Sequence, residues 1–280
     1  MKHALAGVLL VALAALLWLK ASLPGHDYHL SYDYSVDHAY IISLDPDLDL
    51  RTSRYLGVQS TLVTAINSSY AVQERVPLYV RHTMAHGRHD HLQIANAAML
   101  GCYLSHVHVW ETFLNTTHET IVVFEEDAVL HETSAQVLSE IWHDMRVLHS
   151  WSIVMLEAGH LNTEGSWRHL GKHLTNCSGT CTWFGTKAYM ISRQGAALLL
   201  RHSRPVAVQV DALITLAAEW DPEFDMYWTR ASIVGQRMVP STVWDGCIKC
   251  YMPIAVWPYV AVLTLLALPL RDSLKRLNCI

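Results

Sequence analysis

The chain has 280 residues, 51% of them hydrophobic, and a formal net charge of −5. That length holds one core of roughly 200 residues plus appendages. An acidic balance without any Lys/Arg run excludes a phosphate-backbone footprint, and with it nucleic acid as a partner. The apolar excess lies at the two ends. Met1-Lys2-His3 leads into an apolar run from Ala4 to Leu19, closed by Lys20, Pro24 and Gly25, which gives residues 1–23 the shape of a signal peptide or signal anchor. Met252 to Leu270 is almost wholly apolar and is followed by Arg271, Lys275 and Arg276, the pattern of a transmembrane helix with residues 271–280 as a short cytoplasmic tail. This orientation puts the main domain, residues 36–245, in the lumen of the endoplasmic reticulum or Golgi, attached to the membrane. The tripeptides Asn67-Ser-Ser, Asn115-Thr-Thr and Asn176-Cys-Ser fit glycosylation there, and the close pairs Cys177/Cys181 and Cys247/Cys250 fit disulfides.

Within the domain, Ala39 to Leu44 is a short apolar run with β-branched residues, stopped by Asp45-Pro46-Asp47, and reads as the first strand. Tyr55, Val58, Leu62 and Ile66 recur at helical spacing, and Pro77 to Val80 offers a second strand. Met84 to His91 has no apolar period and reads as a loop; its histidines lack Cys or carboxylate ligands at the fixed spacing of a dedicated metal site. Tyr103, Val107, Trp110 and Leu114 mark a helix over Cys102 to Leu114. Thr120 to Phe124 is the strongest strand in the sequence and stops at Glu125, Glu126 and Asp127. A helix over Thr133 to about His149, a strand over Ser152 to Leu156, an irregular stretch, a strand over Lys187 to Ser192 and a helix over Gln194 to His202 complete the alternation. Alternating strands and helices predict an α/β fold of Rossmann type, a mostly parallel sheet with helices on both faces, in which ligands gather beyond the carboxyl ends of the strands.

Both acidic clusters fall at such ends. In extended backbone Glu125 and Asp127 share a face and Glu126 points opposite, so the pair forms a two-carboxylate claw. Hard oxygen ligands of this kind suit Mg²⁺ or Mn²⁺, which then keeps open positions for substrate phosphates. Acids beyond a strand also form plain solvated turns, and His106 has a purely structural alternative as a helix residue bonded to Ser105.

The segment Gly101-Cys-Tyr-Leu-Ser-His106, Trp110 and the run from Ile121 to Leu130 (IVVFEEDAVL) resemble glycosyltransferase family 25, which includes lipooligosaccharide and procollagen galactosyltransferases. Ile42-Ser43-Leu44-Asp45 with Arg51 and Arg54, the segment Gly185-Thr-Lys-Ala-Tyr189 with Arg193-Gln-Gly195-Ala, and Val210-Asp211 follow in the family's order. The resemblance implies a GT-A-like fold and transfer of a hexose, galactose favoured, from a UDP-sugar to a glycan, lipid-glycan or protein hydroxyl, with inversion at the sugar carbon. It implies Glu125 and Asp127 as ligands of Mn²⁺ or Mg²⁺, Asp45, Arg51 and Glu125 at the nucleotide-sugar donor, and His106 and Asp211 on the acceptor side, Asp211 as general base. The chain departs from the family's pattern at Ser43, Pro46 and Glu126, where Asn, Arg and Asp are usual. An inactive relative that binds partners in the lumen is the alternative reading, and a metal-dependent hydrolase using the same acids a more distant one.

Overall fold

The computed structural model describes residues 36–48, 56–131, 133–157, 162–163, 166–178, 181–182 and 185–236. The leader at 1–23, the apolar run at 252–270, Arg51 and Cys247/Cys250 lie outside these residues. Among the described residues no helix is long and apolar enough to cross a membrane.

Eight strands form one sheet in the order β2-β1-β3-β10-β5-β11-β8-β7. These are β1 (His38–Ser43), β2 (Ser60–Thr64), β3 (Thr120–Glu125), β5 (Ile153–Met155), β7 (Ser166–Leu170), β8 (Leu174–Ser178), β10 (Ala188–Ser192) and β11 (Met226–Thr229). β1 pairs in parallel with both β2 and β3, and β5 with β11. β10 runs against its neighbours β3 and β5, so the sheet is mixed at its centre. Two small ribbons, β4 (Ala128–Leu130) with β12 (Val234–Gln236) and β6 (Asn162–Thr163) with β9 (Cys181–Thr182), complete the strands.

The central strands are apolar on both sides because both sides are covered. Along β3, Ile121 and Val123 enter one buried cluster while Val122 and Phe124 enter the other. The first cluster lies under α1 (Ser68–Ala71), α2 (Leu78–His86), α3 (Ala97–Leu114), α5 (Arg193–His202) and α6 (Val210–Trp220). The second lies under α4 (Ser134–Met145), which contributes Leu138, Ile141 and Met145.

Glycine sets two of the close approaches. A Cβ on Gly101 in α3 would stand 2.3 Å from the carbonyl oxygen of Ile66, and one on Gly195 in α5 would stand 2.2 Å from that of Ser152. Both glycines belong to the motifs singled out above. They let each helix lie directly on the backbone of a neighbouring segment.

Two expectations are overturned near the N-terminal end. The helix expected between Arg51 and Ile66 gives way at Ser60–Thr64 to the edge strand β2, because residues four apart share a face in a strand as well as in a helix, and Ser60–Thr64 is rich in β-branched residues. The strand expected at Pro77 to Val80 is the start of α2. Pro77 stands at its N-cap, and only Val80 and Thr83 are buried, one helical turn apart. Further elements carry no sequence expectation, among them α6, β11 and the β7–β8 hairpin.

Candidate active site

The parallel strands β1 and β3 end at one edge of the sheet, with Ile42 opposite Glu125. Because β10 is antiparallel, the residues that precede it arrive at that same edge, and the Glu125 N–H donates to the Lys187 carbonyl at 2.9 Å. The acid after β5, Glu157, accepts from the Lys187 N–H at 2.9 Å and pairs with its Nζ at 2.7 Å. Asp211, in the first turn of α6, accepts from the Gly185 N–H at 3.1 Å and the Ala212 N–H at 2.8 Å. One segment, Gly185–Lys187, thus ties together acids from β3, β5 and α6.

The pleat directs Glu125 to the face covered by α3, as it does Ile121 and Val123. There the carboxylate accepts from Thr186 Oγ1 at 2.6 Å and faces His106 Nε2 at 3.3 Å. His106 is fully buried. Its Nδ1 lies 3.0 Å from the Tyr189 hydroxyl, which also accepts from Trp110 Nε1 at 2.9 Å. A single tautomer satisfies the whole chain: the Trp110 N–H donates to Tyr189, the Tyr189 O–H donates to Nδ1, and the Nε2–H donates to Glu125. Ser105 has no part in it. Its hydroxyl donates to the Gly101 carbonyl and accepts from the Ile66 N–H, so the expected His106–Ser105 pairing is replaced by Tyr189 and Glu125.

Charge is concentrated at this edge. Burial works against the ionised Glu125, but the hydrogen bonds from His106 and the Thr186 hydroxyl and the Lys187 charge outweigh it and hold the carboxyl below its ordinary value. Asp211 moves the other way. Burial pushes it up to about 7, helped by the charge of Glu125 and opposed by the two backbone N–H groups and Arg88. Glu157 is also raised, by burial before anything else, against the pull of Lys187. The Cys102 thiol, one turn before His106 on α3, is raised well above its usual value by burial and then by the charges of Glu125, Asp211 and Asp127. Glu125, Asp127 and Asp211 therefore all lie within electrostatic reach of one sulfur atom.

The route by which Glu126 and Asp127 are placed differs from the expected one. β3 ends at Glu125, and Glu126 and Asp127 form the turn into β4, so the period of two does not reach Asp127. Nor does Glu126 point away from the site. It accepts from Ser43 Oγ at 2.5 Å and from the Leu44 N–H at 3.1 Å. Ser43 and Glu126, two of the positions that depart from the family's pattern, are bonded to each other, a short side chain meeting a long one. The same Ser43 oxygen accepts from the Asp45 N–H at 2.8 Å. Asp45 itself is exposed and caps its own turn by accepting from the Asp47 N–H at 2.9 Å. Among the described residues it joins the acids through the Ser43–Glu126 bridge.

The motifs all lie within residues 36–214, and that span matches the family described as glycosyltransferase family 25 (LPS biosynthesis protein). The chain belongs to glycosyltransferase family 25. It is 22% identical over 171 residues to a "Glycosyltransferase 25 family member" of Aedes aegypti, covering 59% of this chain and 28% of that protein. A relative of the same description from Anopheles gambiae is 23% identical over 174 residues, covering 60% of this chain and 29% of its own. The chain thus spans less than a third of the length of these relatives. The family motifs now have physical content: Gly101 and Gly195 are packing glycines, and the Gly185-Thr-Lys-Ala-Tyr189 segment holds Asp211, Glu125, Glu157 and His106 in turn.

Glu157, Lys187 and Tyr189 were not singled out by sequence reasoning as site residues. For Glu157 a signal was present, since it follows a buried strand as Glu125 does. Tyr189 gave no such signal, because an aromatic in a strand reads as core.

Proposed function

We propose that this chain transfers a hexose, with galactose favoured, from a UDP-sugar to a hydroxyl of a glycan, lipid-glycan or protein, with inversion at the anomeric carbon. The observation that carries this reading is that the Gly185–Lys187 segment binds Glu125 and Asp211 at the carboxyl edge of the sheet, with Asp127 in the turn directly after Glu125, in a chain of family 25. Glu125 raises Asp211, and both act together with Asp127 on the Cys102 thiol; acids gathered in this way suit a hard divalent cation, Mn²⁺ or Mg²⁺, and Glu125 and Asp127 would hold it. The chemistry such an ion supplies is neutralisation of the charge that develops on the departing diphosphate.

The chain's own residues do the rest. Asp211, with a pKa of about 7, takes the proton of the acceptor hydroxyl as its oxygen bonds to the anomeric carbon. The sugar–oxygen bond breaks on the opposite side and its electron pair leaves with the diphosphate. Thr186 and His106 hold the Glu125 carboxylate in place, and the Ser43–Glu126 bridge fixes the turn that carries Asp127. Asp45 and Arg51 would meet the nucleotide, an Arg being suited to bidentate phosphate contact. Secretory membranes would be the setting.

The test is release of UDP from UDP-galactose or UDP-glucose by the purified full chain with Mn²⁺. Activity that disappears in Asp127→Ala, with an unchanged circular dichroism spectrum, supports the reading. An Asp127→Ala protein as active as the parent overturns the metal role. Failure of either donor to raise the melting temperature in Mn²⁺ favours a non-catalytic relative, since a ligand bound by the native state must stabilise it.

A further inference from the structure

Cys102 and His106 project from consecutive turns of α3, and Glu125 reaches them from the end of β3. One ligand atom from each, the Cys102 sulfur, a His106 ring nitrogen and a Glu125 oxygen, can be chosen so that all lie within 4.8 Å of one another. We propose that this trio is a binding site for a borderline-soft divalent cation of the Zn²⁺ type, chemically distinct from the hard oxygen set of Glu125 and Asp127.

Four features support it. The donors are one sulfur, one nitrogen and one oxygen, the mixture that favours Zn²⁺ or Co²⁺ over Mg²⁺ or Mn²⁺. The separation of His106 Nε2 and Glu125 Oε1 is 3.3 Å, long for a charge-assisted hydrogen bond. It equals the distance of about 3.3 Å between two ligand atoms that each sit about 2.0 Å from a tetrahedral ion. The other ring nitrogen lies 3.0 Å from the Tyr189 hydroxyl, which is fixed in turn by Trp110, and in the tautomer that frees Nε2 it donates its proton there, the kind of outer hydrogen bond that metal-ligating histidines almost always make. Finally, 30% of the Glu125 side chain is accessible and Cys102 is half-buried, which leaves a way in. Binding requires the other tautomer: the imidazole proton moves from Nε2 to Nδ1, where it is donated to the Tyr189 oxygen, and the thiol proton is released to solvent. Because Glu125 belongs to both donor sets, a Zn²⁺ ion here excludes the hard cation, so Zn²⁺ competes with Mn²⁺ at this edge of the sheet.

The experiment needs no sugar donor and no turnover, so its outcome is independent of the transferase reading. The reduced, metal-free full chain is alkylated with iodoacetamide, with and without Zn²⁺, and labelling of Cys102 is followed by peptide mapping, which separates it from the other cysteines. Zn²⁺ is expected to protect Cys102, Mg²⁺ and Mn²⁺ at the same concentration are not, and protection should survive in Asp127→Ala and be lost in His106→Gln. Tyr189→Phe should need about tenfold more Zn²⁺ for the same protection. Co²⁺ titration supplies a second variant: Cys102→Ser, a one-atom change, should take up one ion fewer and lose the corresponding thiolate charge-transfer band. Cys102 labelling unaffected by saturating Zn²⁺, protection that persists in His106→Gln, or equal Co²⁺ uptake by the parent and Cys102→Ser would each overturn the proposal.

Discussion

Tyr189→Phe removes one oxygen from the fully buried chain Trp110–Tyr189–His106. Two polar groups lose their partner at once, Trp110 Nε1 at 2.9 Å and His106 Nδ1 at 3.0 Å, and neither can turn to water because both residues are completely buried. A buried group left without its hydrogen bond costs about 1–3 kcal/mol. Taking about 1.5 kcal/mol for each of the two gives a destabilisation of about 3 kcal/mol, with little added for the cavity, since the ring is kept. For a domain of this size that lowers Tm by about 6–12 °C. Urea unfolding followed by tryptophan fluorescence measures it, with Tyr70→Phe as control, because Tyr70 is 67% exposed and its loss should stay within about 0.5 kcal/mol. A Tyr189→Phe protein that unfolds together with the control would refute the account of His106 as a side chain held from both ends.

Gly195→Ala drives a methyl group to within 2.2 Å of the Ser152 carbonyl oxygen, and since backbone cannot give way cheaply, soluble yield and Tm should fall sharply. Lys187→Met strands Glu157, whose side chain is 6% accessible, and should cost about 3–5 kcal/mol at neutral pH by chemical denaturation. That cost should shrink as pH falls, because the raised Glu157 carboxyl then takes up a proton. For Asp211 the folded pKa of about 7 lies above the ordinary aspartate value of 3.8, so its contribution to stability is complete below about pH 4 and is lost as pH rises through 7. Stability of the parent minus that of Asp211→Asn should therefore fall across this window by at most roughly 4 kcal/mol, and a flat difference would contradict the assigned burial. Glu126→Asp shortens the bridge to Ser43 and Leu44 by one methylene and should weaken transfer without unfolding the protein, whereas Glu126→Asp with Ser43→Asn should recover part of the loss.

The elements legible from the sequence were those whose pattern admits one reading. Thr120 to Phe124 is apolar and β-branched throughout, and α3 buries Tyr103, Val107 and Trp110 at helical spacing. Val58, Leu62 and Ile66 fit a strand and a helix equally, and only the pairing of Ser60–Thr64 with β1 makes Leu62 a strand residue. The β7–β8 hairpin sits at the far edge of the sheet, where Leu174 is buried but Arg168, His169 and Lys172 are exposed, too mixed for either period to show.

The sequence by itself determined that acids stand at the ends of two buried strands, since strand runs that stop abruptly at carboxylates need no partner to be recognised, and the order of its motifs determined the family. The tertiary structure alone decided which of those acids meet. Antiparallel β10 carries Gly185–Lys187 to the edge where β1 and β3 end, and through it Glu157 and Asp211 are brought beside Glu125. The physical reason is that a strand's direction and neighbours are set by hydrogen bonds between segments far apart in the chain, and no local pattern of residues encodes them.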